Sequence, residues 1–371
     1  MLNPFQRFLS KRFLGIDVGT SYVKVVEIYK AGRLKKLENY GQVSSAVFQR
    51  RPFRTSEKNT LRLSNQDIAQ AIMSIIDEAE IKTKQAIFSI PDFSSFFTSF
   101  DLPPMTREEL PEAVGYEARQ HIPLPLADVV LDWQIIKSTP VEGKKIRFKV
   151  LLVAVPNDVV SQYQEIARLS QLELVALEAE VFSLMRALTK TGNNKGGNKG
   201  KGVGPVAIVD IGAKTTTCTV VDEEVIKTSH SFDMSGNDLA AALAKEFEVD
   251  FNEAEKIKKQ YGLRSDMGED GQAVRGILLP LAEAIAKEVK GVLDNFYQQE
   301  KKEVKKIIIA GGTSLLPGLK EYFKEFFAGK EIEIGNPFSG ISYPAVLEKT
   351  LAGMGPGFAI ATGAALRGLQ G

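Results

Sequence analysis

Two distant segments of the sequence share one pattern of residues, and in both the pattern places an acidic side chain at a glycine-containing turn. Residues 13–28 and 206–221 each begin with an apolar run, continue with Asp-x-Gly and small polar residues, and end in a second, β-branched run. This pattern predicts two β-hairpins, with Asp17 near the tip of the first and Asp210 near the tip of the second. A unit repeated in this way indicates an internal duplication, and hence two similar domains that face each other.

The turns of the two hairpins carry the residue types that bind phosphate. Glycine and small hydroxyl residues let a turn present backbone N–H groups to an anion, and the ammonium of Lys24, on the following strand, can reach a β- or γ-phosphate. The residues predicted to bind phosphate are Gly19, Thr20, Ser21 and Lys24 in the first hairpin and Gly212, Ala213, Lys214 and Thr215 in the second. In either hairpin taken alone, Asp-x-Gly is also an ordinary turn signal.

The two aspartates are candidates for a metal site. Mg²⁺ keeps several of its water ligands and needs few protein carboxylates. Asp17 and Asp210, one from each domain, are therefore predicted to hold Mg²⁺ through water. The sequence contains one cysteine and two histidines, which excludes a disulfide framework and a Cys/His zinc cluster.

A third segment adds a glycine pair to the two hairpins. Residues 307–319 combine an apolar strand with Gly311-Gly312 and a predicted helix. The two glycines have no side chains, so a nucleotide base or ribose can lie against their backbone, and we expect Thr313 or Ser314 to cap the helix that follows. Glycine-containing turns between a strand and a helix are common, so this segment alone is weak evidence for a nucleotide site. It becomes specific because it follows the two Asp-x-Gly hairpins in this order.

Predicted helices and strands alternate between these segments. Ser64 and Asp67 match a capping box that opens an amphipathic helix, and Thr106 predicts the start of a second helix. Residues 151–155 predict a short buried strand that leads into a third helix at Asn157. This alternation places the protein in the α/β class.

The composition excludes several classes of protein. The 371 residues favour two domains, and 44% apolar with 25% charged residues is typical of a soluble globular protein. A net charge of +1 argues against a general nucleic-acid-binding protein. The sequence has no apolar run long enough to span a bilayer.

Two segments are predicted to lie outside the packed domains. Residues 191–204 are rich in glycine, asparagine and lysine, which predicts a flexible surface loop. Residues 1–12 mix aromatic and basic side chains, and they predict a terminal arm that packs on its own domain or frays. Contact of this arm with a membrane surface is the alternative.

In this order along the chain, the three segments resemble the nucleotide-binding motifs of the actin-like ATPase superfamily, which includes actin and the cell-division protein FtsA. Residues 13–28 and 206–221 resemble its two phosphate motifs, and 307–319 resembles its adenosine motif. The resemblance implies two duplicated lobes around a cleft that holds ATP or ADP with Mg²⁺. It also adds five residues to the predicted site, namely Ser235, Gly236 and Asn237 of a further phosphate turn and Glu255 and Lys258 of a Glu-x-x-Lys pair that contacts ribose and adenine.

The same resemblance implies two helices that connect the lobes, at residues 177–187 and 358–368. Hydrolysis of ATP needs a residue that orients the attacking water, and Glu178 and Glu180 at the start of the first connector are the candidates. Which of them faces the cleft depends on a helix register that the sequence does not fix. The alternative is that both carboxylates only stabilise the N-terminus of the helix through its dipole.

Within the superfamily, the sequence is most similar to the PilM family of type IV pilus assembly proteins. The similarity lies in residues 14–19 with the Lys-Val-Val-Glu that ends at Glu27, in residues 88–91, and in the run from Glu180 to Arg186. It implies a cytoplasmic ATP-binding scaffold of the inner-membrane assembly platform, which binds the N-terminal cytoplasmic peptide of PilN with a nucleotide-dependent lobe geometry. The protein is then expected at the inner face of the cytoplasmic membrane through this partner. Other platform proteins and pilus motor ATPases are further implied partners, with self-association as an option.

The family fold implies a division of the chain into two lobes and an inserted subdomain. In this division, the first lobe comprises residues 1–93, and the chain returns to it at 175–190 and 357–371. An FtsA-type inserted subdomain of 94–174 lies beside this lobe. After the loop 191–204, the second lobe comprises 205–234 and 306–356, with its own subdomain at 235–305.

Two other functions are compatible with the same fold. One is an FtsA-like, filament-forming cell-division protein, which is expected to continue past the second connector into a linker and an amphipathic helix, whereas this sequence ends at Gly371. The other is a small-molecule kinase, which needs a dedicated base in the substrate cleft, and the sequence offers no clear candidate for that base. The scaffold is therefore the favoured prediction, and hydrolysis of ATP is left open.

Overall fold

The computed structural model describes residues 11–45, 64–141, 145–189 and 204–370. The predictions for the terminal arm up to residue 10 and for the loop up to residue 203 concern residues outside this description. None of the helices in the described ranges combines the length and the apolar character that a bilayer-spanning segment needs.

The first lobe is built on a five-stranded sheet that contains the first predicted hairpin. Its strands, in the spatial order β3-β2-β1-β4-β8, are β1 (Arg12–Val18), β2 (Tyr22–Ala31), β3 (Leu34–Ser44), β4 (Gln85–Ile90) and β8 (Glu173–Ala179). β1 and β2 are antiparallel, and Asp17 pairs with Lys24 across them. β4 is parallel to both of its neighbours, β1 and β8.

The second lobe repeats this sheet with the same topology. Its strands, in the order β11-β10-β9-β12-β13, are β9 (Val206–Ile211), β10 (Thr216–Asp222), β11 (Val225–Phe232), β12 (Lys306–Ala310) and β13 (Glu331–Ile334). β9 and β10 form the second predicted hairpin, in which Asp210 pairs with Thr217. β12 is again parallel to both of its neighbours. Two sheets of identical order, each with an antiparallel hairpin and two parallel strands, are what an internal duplication predicts.

Ten helices in the described ranges surround these sheets. They are α1 (Asn65–Glu78), α2 (Leu110–His121), α3 (Asn157–Leu169), α4 (Glu180–Leu188), α5 (Gly236–Glu246), α6 (Phe251–Tyr261), α7 (Gly268–Glu300), α8 (Leu319–Phe326), α9 (Glu348–Met354) and α10 (Ala359–Gly368). Ser64 caps α1 as predicted, because its Oγ accepts a hydrogen bond from the backbone N–H of Asp67 at 3.2 Å. The Asp67 carboxylate accepts from the Ser64 hydroxyl at 2.8 Å and not from the Ser64 backbone N–H that a full capping box uses. α10, the second predicted connector, covers the first-lobe sheet on the face opposite α1.

The inserted subdomain contains a three-stranded sheet. Its order is β5-β7-β6, with β5 (Phe96–Asp101), β6 (Val129–Pro140) and β7 (Ile146–Pro156). The buried strand predicted at 151–155 is thus part of the longer β7. Leu110, Val114 and Ala118 of α2 pack on this sheet in a core of their own.

Three of the predicted segment boundaries differ from the packing in the structure. α3 lies within the predicted 94–174 subdomain, but its Tyr163 and Ile166 belong to the first-lobe core together with Ile72 of α1. α7 lies within the predicted 235–305 subdomain but shares one core with the second-lobe sheet. Residues 338–351 of the predicted second lobe pack against the first lobe. A boundary taken from motif positions cannot reveal which sheet an amphipathic helix covers, and packing decides this.

Three predicted helix starts are also wrong. The predicted first connector at 177–187 starts as a strand, since β8 includes Glu178 and α4 begins only at Glu180. The second helix begins at Leu110, four residues after Thr106, whose backbone N–H instead donates to the Glu109 carboxylate. Thr313 and Ser314 lie in a separate 3₁₀ turn, and α8 begins after Gly318, so neither residue caps it.

The two connecting helices make unusually close contacts at glycines. A β-carbon placed on Gly363 of α10 would collide with the backbone oxygen of Ser183 in α4, and one placed on Gly15 of β1 would collide with the backbone oxygen of Ala361. Only glycine permits backbones to approach this closely. α10 is therefore held directly against both the first-lobe sheet and the other connector.

A buried apolar cluster, which we call the hinge cluster, joins all parts of the molecule around these connectors. Its buried members are Leu151 of the inserted sheet, Ala179 at the end of β8, Val181 and Leu184 of α4, Ile208, Val221, Ile226 and Ala310 of the second lobe, and Ala359 and Ile360 of α10. The inserted sheet thus contacts the second lobe through this core as well as the first lobe beside it.

The close contact of the connectors predicts the effect of Gly363→Ala. The new methyl group meets backbone atoms of α4, which cannot turn aside, so we expect a loss of about 2 kcal/mol in the free energy of unfolding. Urea denaturation measures this. The matched control is Gly276→Ala in α7, an exposed helical glycine with open space around it, where the change should stabilise by about 0.5–1 kcal/mol. Equal effects of the two substitutions would contradict the proposed contact.

Candidate functional site

The turns of the two hairpins have the same local geometry. The backbone N–H of Gly19 donates to the oxygen of Tyr22 at 2.9 Å, and that of Gly212 donates to the oxygen of Thr215 at 3.0 Å. A β-carbon on either glycine would lie 2.8 Å from that same oxygen. Both turns are therefore too tight for a side chain at this position, which gives a physical reason for glycine two residues after each aspartate.

Asp17 is buried beside a lysine at the first turn. Its side chain is almost fully enclosed, at 2% exposure, and its Oδ2 lies 3.5 Å from Nζ of Lys24. The other oxygen, Oδ1, is buried and has no hydrogen-bond partner among the described residues. A buried carboxylate oxygen without a partner is costly. The geometry at Asp17 therefore suits a ligand, a metal-bound water or another donor at Oδ1.

The second turn, the start of α5 and the 3₁₀ turn at 312–315 meet at one point. The backbone N–H groups of Gly236 and Asn237 donate to the oxygens of Gly212 and Ala213, both at 2.9 Å. A β-carbon on Gly236 would collide with Oγ1 of Thr313. Three motifs that are separate in the sequence are thus brought into contact here.

Lys258 of α6 is anchored at the same point. Its side chain is 6% exposed, and Nζ donates to the backbone oxygen of Gly236 at 2.7 Å while pairing with the Glu255 carboxylate. Burial lowers the pKa of Lys258, and the neighbouring Glu255 acts in the opposite direction. The predicted Glu-x-x-Lys pair is therefore formed, and it lies next to the predicted phosphate turn.

The turn Gly355–Phe358, just before α10, lies where the floor of the predicted cleft is expected. The backbone N–H of Gly311 donates to the oxygen of Pro356 at 3.1 Å. A β-carbon on Gly357 would lie 3.9 Å from Nζ of Lys24 and 3.7 Å from Cα of Gly312. The first hairpin and the glycine pair of the second lobe therefore approach the same turn from opposite sides.

Gly311 also brings Asp210 into this region. Its backbone has a φ of 82°, which favours glycine, and a β-carbon there would lie 2.7 Å from Oδ1 of Asp210. Ser314 Oγ donates to the oxygen of Gly311 at 2.7 Å, so this hydroxyl supports the turn. Of the other predicted turn residues, Thr20 is buried, whereas Ser21, Lys214 and Thr215 are half-buried.

The carboxylate of Glu178 is paired with the side chains of two arginines. Its two oxygens accept from Nη1 and Nη2 of Arg186 at 2.5 and 2.6 Å, from Oγ of Ser183 at 2.7 Å and from Nη1 of Arg367 at 3.1 Å. Nη1 of Arg186 also donates to the oxygen of Gly363 at 3.0 Å. These contacts join β8, α4 and α10. The sequence gives no signal that pairs Arg367 with Glu178, because the two are 189 positions apart. Arg186 is only eight positions away, but it comes close because the chain changes from β8 to α4 between them.

Glu180 has different surroundings. It is the first residue of α4 and is buried. The N–H of the next residue, Val181, donates to Oδ1 of Asp92 at 3.2 Å. Glu178 lies on the strand before the connector and Glu180 on the helix itself, so the two carboxylates have separate structural roles.

Comparison with solved structures identifies proteins of the same fold. The matching chain of a PilM-PilN type IV pilus biogenesis complex has a TM-score of 0.79 and 23% identity, with 96% of this chain and 98% of that chain covered. The ethanolamine utilization protein EutJ from Carboxydothermus hydrogenoformans has a TM-score of 0.55 and 19% identity over 96% of this chain and 89% of that chain. MreB 5 of Spiroplasma citri bound to AMPPNP has a TM-score of 0.52 and 14% identity over 92% of this chain and 97% of that chain. The predicted actin-like fold is thereby confirmed.

The sequence itself matches a family model. The model described as type IV pilus assembly protein PilM covers residues 15–369, which is nearly the whole chain and includes every residue of the predicted site. The resemblance inferred from the motifs is confirmed, and the chain belongs to the PilM family of type IV pilus assembly proteins.

Proposed function

We propose that this chain is an ATP-binding scaffold of the type IV pilus inner-membrane platform, with ATP or ADP held between its two lobes. The observation that carries this proposal is the convergence of both hairpin turns, the 235–237 turn and the Gly311-Gly312 pair around one cleft floor. Backbone N–H groups and lysines at such turns favour phosphate. Membership in the PilM family supplies the pilus role.

Within this cleft, we assign parts of the nucleotide to parts of the chain. Phosphates are assigned to the residues Gly19, Thr20, Ser21, Lys24, Gly212, Ala213, Lys214, Thr215, Ser235, Gly236 and Asn237. Ribose and adenine are assigned to Glu255, Lys258, Gly311, Gly312, Thr313 and Ser314. The close approach of Gly236 to Thr313 and of Lys258 to Gly236 supports a continuous surface from the phosphate side to the adenosine side.

Asp17 and Asp210 fit a site for Mg²⁺ bound through water. The buried, unpartnered Oδ1 of Asp17 is the kind of acceptor that a metal-bound water satisfies. When bound, Mg²⁺ neutralises phosphate charge. Lys24, beside Asp17, would then balance the remaining charge on the first-lobe side.

We further propose that Glu180, and not Glu178, orients water in any hydrolysis of ATP. Both oxygens of Glu178 are occupied by Arg186, and Arg367 adds a third donor. Oxygens that accept from these donors are not available to hold an attacking water as well. Glu180 is the remaining candidate, at the start of the helix that leads away from the cleft.

The proposed partner is the N-terminal cytoplasmic peptide of PilN, bound in a groove that involves the inserted subdomain. Support comes from the family and from the similarity to the chain of a PilM-PilN complex. Through this partner the protein would be peripheral at the inner face of the cytoplasmic membrane. The hinge cluster gives a route by which the angle between the lobes changes the inserted subdomain. No specific feature favours the FtsA-like filament or the small-molecule kinase.

Removal of the charge on Asp17 tests the nucleotide site. We expect Asp17→Asn to weaken Mg-ATP binding by roughly tenfold or more, since charged hydrogen-bond partners contribute on the order of 1.5–3 kcal/mol. Isothermal titration calorimetry measures the affinity. Asp294→Asn, a charge-matched change on the exposed surface of α7, should leave the affinity unchanged. If both variants bind Mg-ATP like the original chain, the cleft assignment is wrong.

Substitution of the two glutamates separates catalysis from structure. Glu180→Gln should reduce ATP turnover at unchanged ATP affinity. Glu178→Gln should lower the free energy of unfolding by about 3 kcal/mol, because it removes one partner of a buried ion pair. Steady-state turnover and urea denaturation provide the two readouts. A loss of turnover confined to Glu178→Gln, with stability intact, would reverse the assignment.

The single tryptophan reports on peptide docking. Trp133 lies on β6 of the inserted sheet and is half-buried. We expect the PilN peptide to change the fluorescence of Trp133 with the same midpoint that calorimetry gives for binding. A scrambled peptide should neither bind nor change the fluorescence. Binding detected by calorimetry without any change at Trp133 would place the peptide away from β6. Absence of binding by both methods would reject PilN as the partner.

A further inference from the structure

A basic surface lies at the end of β2 remote from the predicted phosphate turn. β2 and β3 are joined there by a hairpin turn at Gly32 and Arg33, in which Gly32 has a φ of 62°. Four cationic side chains occupy seven consecutive positions of this hairpin, namely Lys30, Arg33, Lys35 and Lys36. We call this hairpin with the neighbouring segment 342–346 the basic edge.

In the part of the chain that the structure describes, the carboxylates near the basic edge are bonded to groups other than its four cations; Glu348, for example, accepts from the hydroxyl of Tyr343. Within the described ranges, none of the four cations forms an ion pair with an acidic side chain. The carboxylates of the adjoining strands are engaged elsewhere: Glu27 is buried and bonded to Thr83 and Asn39, and Glu38 pairs with Arg12 at 3.0 Å.

Lys35 lies among these cations and is half-buried. Its pKa is lowered, first by partial burial and then by repulsion from Lys30 and Arg186. Lys30 and Lys35 are thus close enough to repel each other, on a surface whose neighbouring carboxylates Glu27 and Glu38 are bonded to other groups. Such a region attracts an anionic partner.

The same edge exposes two aliphatic side chains. Leu34 at the tip of the hairpin is 60% exposed, and Val346 is 82% exposed. The segments that carry them are joined, because the N–H of Ser342 donates to the oxygen of Lys35 at 2.8 Å and the N–H of Leu37 donates to the oxygen of Ser342 at 3.0 Å. Exposed aliphatic residues are thus placed beside the basic side chains on two connected segments.

We propose that the basic edge binds directly to an anionic lipid surface. Lysine and arginine are attracted to anionic headgroups, while a leucine and a valine can enter the boundary between headgroups and acyl chains. Nucleic acid fits less well, since base stacking needs exposed aromatic rings. The exposed apolar side chains Leu34 and Val346 are aliphatic, and Tyr343 of the same segment packs against Phe338. This surface is separate from the cleft and from the inserted subdomain, so it does not depend on either proposed site.

Vesicle co-sedimentation of the full chain tests the proposal. The chain should bind phosphatidylcholine vesicles that contain phosphatidylglycerol, should bind pure phosphatidylcholine vesicles much less, and should dissociate as NaCl is raised. Lys30→Gln with Arg33→Gln should weaken binding by roughly 25-fold, about fivefold for each charge removed near the membrane. Lys30→Arg with Arg33→Lys should restore it. The control with matched charge is Lys256→Gln with Lys287→Gln, on exposed helix surfaces, which should bind like the original chain.

The outcomes separate a lipid surface from other anions. Leu34→Ser should weaken vesicle binding but leave binding to heparin, a soluble polyanion, unchanged. Equal loss of vesicle binding in the hairpin variant and the control variant would overturn the proposal, as would no binding to anionic vesicles. Binding to double-stranded DNA at least as tight as to vesicles, lost with the same hairpin substitutions, would replace the lipid by nucleic acid. Circular dichroism checks that each variant keeps its fold.

Discussion

The arrangement of the two lobes depends on a buried ionic contact where their connecting segments meet. Glu178 at the end of the first-lobe sheet accepts hydrogen bonds from Arg186 of α4 and Arg367 of α10. A buried carboxylate is tolerated only when its charge is paired, so the two helices cannot slide apart without a large cost. Gly363 adds a steric constraint, because α4 and α10 touch there through their backbones. The cleft between the lobes is therefore positioned by the connectors.

This constraint links the parts of the molecule that the proposed function needs. The turn before α10 lies at the expected floor of the cleft, and α10 continues into the contact with Arg186. The hinge cluster joins the same connectors to Leu151 of the inserted sheet and to the second-lobe strands. Because a packed core has discrete arrangements and does not deform continuously, a change in lobe angle must be accommodated at this cluster. The proposed nucleotide and peptide sites would therefore be coupled there.

Much of the fold and of the candidate site could be predicted from local sequence, because the two hairpins and the glycine pair are short-range patterns. Gly19 and Gly212 are required by turns that close within three residues, and such requirements are visible in sequence. The partners of Glu178 could not be predicted, since Arg367 is distant along the chain and the sequence predicts a helix at residues where β8 ends. The same limit explains α3, whose amphipathic pattern predicts a helix but does not indicate which sheet it covers.

Coupling between the cleft and the inserted subdomain is tested most directly by titrating the full chain with the N-terminal peptide of PilN, with and without Mg-ATP. Since the hinge cluster packs the inserted sheet against the connectors and the second-lobe strands, we expect the peptide affinity to change by about fivefold or more when Mg-ATP is bound. The affinity for Mg-ATP must then change by the same factor when the peptide is bound. Tight peptide binding that is identical in both conditions would contradict the coupling and leave the nucleotide a purely structural role.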